Sequence, residues 1–98
     1  GRGDREGERA VILAEHSEVR AHPDHPDTPL GVLVLVEFVS IVSGYRVRAA
    51  AHPFVGESQG RIEWAGSEDE ARAKVPALLA WARKVVAAGA QPSLRGVA

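Results

Sequence analysis

The chain has 98 residues, a formal net charge of −1, four histidines, and neither cysteine nor methionine. So small a charge supplies no global field for nucleic acid or an anionic membrane, and the missing cysteine excludes disulfides, thiol catalysis and thiolate metal sites. The length suits one domain with a single modest core, and no apolar run is long enough to span a bilayer: residues 32–42 form a short stretch that contains Glu37.

Residues 1–9, GRGDREGER, are glycine-rich and dense in charge and read as a flexible, solvated tail. The Arg2-Gly3-Asp4 tripeptide matches the integrin recognition sequence, but three residues in a charged tail do not carry an adhesive function. No signal-peptide pattern follows, which points to a cytoplasmic protein; the absent methionine leaves open a fragment of a longer polypeptide. Residues 10–21 fit a helix poorly, because Glu15 falls between Val11, Ile12 and Val19. A strand, with Val11, Leu13 and Val19 sharing a face with Glu15 and Ser17, is the better reading.

Three prolines in residues 22–29, HPDHPDTP, enforce an extended or turning loop. His22 and His25, flanked by Asp24 and Asp27, have a spacing that can hold a divalent ion if His16 or His52 completes the set. Histidines placed beside prolines in a loop are more often simply solvated, and no metal or other cofactor is expected. The His-Pro-Asp tripeptide is similar to the loop of J-domains, but a valine-rich strand follows it here where that family places a basic helix.

Residues 30–51, LGVLVLVEFVSIVSGYRVRAAA, are rich in β-branched residues and interrupted at Ser43-Gly44, predicting a long β-hairpin. A two-residue loop at Ser43-Gly44 pairs Val42 with Tyr45, Ser40 with Val47, Phe38 with Ala49 and Val36 with Ala51. Alternation then gives a core face of Val32, Val34, Val36, Phe38, Val42, Tyr45, Val47, Ala49 and Ala51. The other face carries Leu33, Leu35, Glu37, Val39 and Ile41 opposite Arg46, Arg48, Ala50 and His52. Such a face is too apolar for water and too charged for a sealed interior. It is expected either to meet a partner or to be covered by residues 10–21.

His52-Pro53-Phe54-Val55-Gly56 forms a bend, and residues 61–65, RIEWA, alternate as a short strand. Ser67-Glu-Asp-Glu70 is a capping box in which Ser67 accepts from the Glu70 amide and Glu70 returns the bond. Beyond it Ala71, Val75, Leu78, Leu79, Ala82, Val85 and Val86 make one apolar stripe, with Trp81 on its flank and Gly89 as terminator. Pro76 either bends this helix or begins a second segment. Residues 90–98 are read as a second flexible tail, leaving 10–89 as the domain.

From residue 31 to residue 88, the Gly44-Tyr45 strand, Pro53, Gly56 and the Ser67 to Glu70-Ala71 helix start resemble the HicB-type antitoxin fold. The resemblance implies a β-β-β-α layer. Residues 1–29 have no counterpart in that family, and no operator-binding segment is visible. The double-stranded-RNA-binding domain has a similar layer, but its helix opens with lysines. Glu68, Asp69 and Glu70 would repel phosphate here, so no nucleic-acid partner is expected.

The expected fold is α+β: an antiparallel sheet of three to four strands built on the hairpin, with one C-terminal amphipathic helix on one face. No nucleotide loop, nucleophile elbow or carboxylate pair points to catalysis. The leading functional expectation is therefore a non-catalytic protein–protein interaction module that forms a homo-oligomer or binds another protein, with no membrane partner. Its interface residues are Leu33, Leu35, Glu37, Val39, Ile41, Arg46 and Arg48. The alternatives are a small metal-dependent or His-based enzyme using His22, His25 and His52 with Asp24 or Asp27, and a structural piece of a larger assembly.

Overall fold

The computed structural model describes residues 9–89, and the expected tails otherwise lie outside the described residues. Strands β1 (Ala10–Ala21), β2 (Pro29–Val39), β3 (Gly44–His52) and β4 (Gln59–Ala65) form one antiparallel sheet in the order β1-β2-β3-β4. Helices α1 (Glu68–Ala73) and α2 (Val75–Ala88) lie on one side of it, so the α+β expectation holds.

The hairpin register differs from the one expected. Phe38 faces Tyr45, Val36 faces Val47 and Val32 faces Ala51, with Val39 and Gly44 as the last pair. The loop is therefore four residues long rather than two, built on a 3₁₀ turn at Ser40–Val42. Ser43, at φ 49°, takes the left-handed conformation there, and Gly44 belongs to the strand. The Ser40 amide and hydroxyl both donate to the Arg9 carbonyl, at 3.1 Å each, fixing the turn to the start of β1. The shift is even, so the faces of the paired residues survive: Val32, Val34, Val36, Val47, Ala49 and Ala51 are buried beneath the helices, whereas Val42, expected on the core face, stands exposed in the turn.

Residues 10–21 do form a strand, but with a bulge between Ile12 and Ala14. The bulge separates residues that simple alternation would keep together. Val11, opposite Phe38, lies on the helix side, whereas Ile12, Glu15, Ser17 and Val19 lie on the opposite side.

Ser67 accepts from the Glu70 amide at 3.1 Å, as the capping box requires. Glu70, however, returns its bond to the Gly66 amide, also at 3.1 Å, one residue earlier than expected. Pro76 begins a second segment. Helix α1 closes at Lys74, whose amide donates to the Ala71 carbonyl at 3.1 Å, and Pro76 then sits in the first turn of α2, where no amide is needed. The predicted stripe faces the sheet, with Ala71, Val75, Leu78 and Ala82 fully buried and Leu79, Trp81, Val85 and Val86 packed around them.

Two glycines hold the ends of this assembly. A Cβ at Gly89 would lie 2.3 Å from the Val55 carbonyl oxygen. That close approach lets the Val55 amide donate to the Gly89 carbonyl at 2.8 Å and latches α2 to the β3–β4 loop. Gly31 has φ +123°, and a Cβ there would come within 1.9 Å of the Glu18 carbonyl oxygen. Glu18 also anchors α2 from β1, because its carboxylate accepts two hydrogen bonds from Arg83, the Nε bond at 3.1 Å. Those bonds hold the Glu18 carboxyl below its ordinary value.

Gly31→Ala is expected to lower stability in urea unfolding by about 2 kcal/mol or more, since strained backbone and steric overlap coincide. The Glu18 carboxyl should titrate by NMR below the ordinary value of 4.5, and Arg83→Gln should return it there. Because the folded-state value is the lower one, the pair supports the fold above the unfolded-state value. That support fades as pH falls through the folded-state value.

Candidate functional site

Neither helix covers the second face of the sheet, and no other described element does. Residues 10–21, one expected cover, extend the sheet sideways instead. The register lays this open face out in rows. Glu15, Leu35, Arg48 and Ile62 form one row across the four strands, and Ile12, Glu37, Arg46 and Trp64 form the next.

At its centre Glu37 is only 3% exposed. Its Oε1 accepts from Arg46 Nε at 3.0 Å and from Arg48 Nε at 2.9 Å, and its Oε2 accepts from Arg48 Nη2 at 3.2 Å. Paired in this way the carboxylate can leave water, which an isolated one could not. The Arg46 guanidinium carbon also lies 5.7 Å from the centroid of the Trp64 ring, a cation–π contact.

Around this triad the face is apolar. Leu35 and Val39 are buried within it, whereas Ile12, Ile62 and Trp64 are 55%, 56% and 50% exposed. Ala50 and Gly60 leave a shallow trough of about 460 Å³ bounded by Leu33, Leu35, Arg48 and Ile62. Large aliphatic and aromatic side chains half in water, grouped on one surface, mark an interaction site more often than a solvated surface.

Six of the seven predicted interface residues lie here: Leu33, Leu35, Glu37, Val39, Arg46 and Arg48. Ile41 does not. It stands in the 3₁₀ turn at the hairpin tip, because the longer loop removes it from the strand. The sequence reading missed Ile12, Glu15 and Val19 on β1 and Ile62 and Trp64 on β4. The alternation of Ile62 and Trp64 against Arg61 and Glu63 was a usable signal, but which set faces the helices depends on tertiary partners. Arg61 stacks on Trp81 at 5.1 Å and Glu63 pairs with Lys74 at 3.6 Å, so the polar set borders the helices.

The candidate metal residues are otherwise engaged. His22 lies parallel to Phe54 at 4.9 Å, and its Nδ1 accepts from the Asp24 amide at 3.0 Å. His25 approaches His22 at 4.9 Å between ring centroids, while His52 Nδ1 bonds Ser58 Oγ at 2.8 Å. Among the described residues no three or more His, Asp or Glu side chains converge as a metal site would require. A cleft of about 720 Å³ runs between the end of α2 and the β1–β2 hairpin, bridged by the Glu18–Arg83 pair. Its floor, Leu30 and Val32, is already sealed core.

No family model, curated protein or solved structure matches the chain, so the resemblance to the HicB-type fold stands on its motif residues alone. No helix among the described residues is long and apolar enough to cross a membrane.

Glu37→Gln is expected to destabilise the fold by roughly 1.5–3 kcal/mol, the range for a hydrogen bond to a charged group. The lower part of that range is expected, since the Arg46 and Arg48 side chains are 23% and 47% exposed and water can compensate them. Urea unfolding of the variant beside the parent measures the loss.

Proposed function

We propose that the chain is a non-catalytic protein–protein interaction module, of antitoxin, immunity or adaptor type, that oligomerises through the open face of its sheet. One observation carries the reading: three large apolar side chains on that face, Ile12, Ile62 and Trp64, are each about half exposed around a buried Glu37 that is paired with two partly exposed arginines. A buried, arginine-paired carboxylate ringed by aromatic and aliphatic anchors has the composition of an interface. The arginines give such a surface orientation, while the apolar ring supplies the area removed from water.

The face is also about the right size. Strands spaced about 4.8 Å apart, with rows about 3.3 Å apart along them, give four strands of some nine rows a projected area of roughly 600 Å². Side-chain relief raises the accessible area toward the ~800 Å² per partner of a standard interface.

Light scattering over a range of concentrations is expected to give a mass above that of the monomer. Ile62→Asp and Trp64→Asp should each shift the protein to monomer with an unchanged far-ultraviolet circular dichroism spectrum, since both side chains are half in water. A wild-type chain that stays monomeric throughout, with the two variants no more soluble than it, would overturn the reading.

A further inference from the structure

We infer that the occupant of the open face is a second copy of this chain, related by a two-fold axis parallel to the strands, with Glu15 of each copy pairing with Arg48 of the other. The inference rests on the interaction reading above and names its partner and geometry.

The argument is one of charge. The described open face carries four formally charged side chains, Glu15, Glu37, Arg46 and Arg48, two of each sign. A neutral face selects against a strongly acidic or basic partner and suits a self-complementary one. Within one copy the charges are not evenly placed. Glu37 is shared by both arginines, so the triad holds one surplus positive charge. Glu15 has no ion-pair partner among the described residues and stands on β1, with Leu35 of β2 between it and Arg48 of β3. Arg48 gives Nε and Nη2 to Glu37, and its Nη1 donates to nothing among the described residues. One copy thus has an unused carboxylate and an unused guanidinium edge, in one row and two strands apart, that are not paired with each other.

Facing a second copy resolves this in only one orientation. A two-fold axis perpendicular to the strands keeps each strand over its own counterpart, and Glu15 would lie over the partner's β1, away from Arg48 on β3. An axis parallel to the strands, passing over Leu35, carries β1 of one copy onto β3 of the other. Both Glu15–Arg48 pairs then form at once, and Leu35 packs against Leu35. Facing sheets within about 30° of alignment at a separation of about 10 Å are the common arrangement, and Glu and Arg side chains together span that gap. The same overlay lays the partner's β1, with its small Ser17, along the trough left by Ala50 and Gly60, so that Ile62 and Trp64 of β4 flank that strand at the rim of the overlap.

The test uses the full chain and charge reversal, with association measured by analytical ultracentrifugation. Glu15→Arg changes an exposed residue that holds nothing in its own copy, so the fold should persist while association weakens by ~10-fold or more. Mixing this variant with Arg48→Glu should restore a heterodimer, because both cross-pairs are then opposite in sign. If Arg48→Glu does not fold beside Glu37, Arg48→Gln replaces it and should restore association in part. A wild-type dimer whose affinity is untouched by Glu15→Arg, or a mixture that fails to recover, would overturn this geometry and leave the interaction reading standing. A wild-type monomer at every concentration would overturn both.

Discussion

The carboxylate of Glu37 sets the terms on which the sheet is assembled. It is buried on a face that no helix covers, so its charge must be met by strand neighbours alone. In the observed pairing of β2 with β3, Glu37 stands opposite Arg46 and diagonal to Arg48, and both guanidiniums reach it. The same pairing sets Phe38 against Tyr45, with ring centroids 5.2 Å apart. Four residues are then left to turn the chain, which they do with a 3₁₀ turn and a left-handed Ser43. The hairpin tip is thus matched to the pairing that forms the triad, and Gly44 belongs to the strand beside the turn.

This explains which parts of the structure were legible in the sequence. Strand and helix identities follow from local patterns: valine alternation in β2, the Ser67 cap, the apolar stripe of α2. The face assignment was legible too, because the expected and observed hairpin registers differ by an even number of residues and side-chain alternation has a period of two. The register itself was not legible, because a glycine suggested a tight turn locally while the contacts that the observed register forms join residues nine and eleven positions apart. The bulge in β1 was equally hidden, since Leu13 is an extra residue only relative to its partner strand.

The interface candidate was half legible for the same reason. Its hairpin residues were readable from alternation within a single stretch. Its flanks, Ile12 and Val19 on one side and Ile62 and Trp64 on the other, depend on which side of an edge strand turns toward the helices. On β4 that is decided by Trp81 and Lys74, which lie well downstream and hold Arg61 and Glu63 at the helix margin. A four-stranded sheet with one helical layer has twice the surface that the layer can cover. Here the sequence puts apolar residues on both surfaces, and so leaves one unspent.

The bulge at Leu13 has a further consequence, for growth. β1 is a twelve-residue strand at the margin of the sheet, and among the described residues no strand pairs with its outer side. The bulge breaks that ladder near its start, and Glu15, Glu18 and Arg20 make the remainder an uninviting partner for a copy of itself. Strand-by-strand extension into a fibril is disfavoured at this margin.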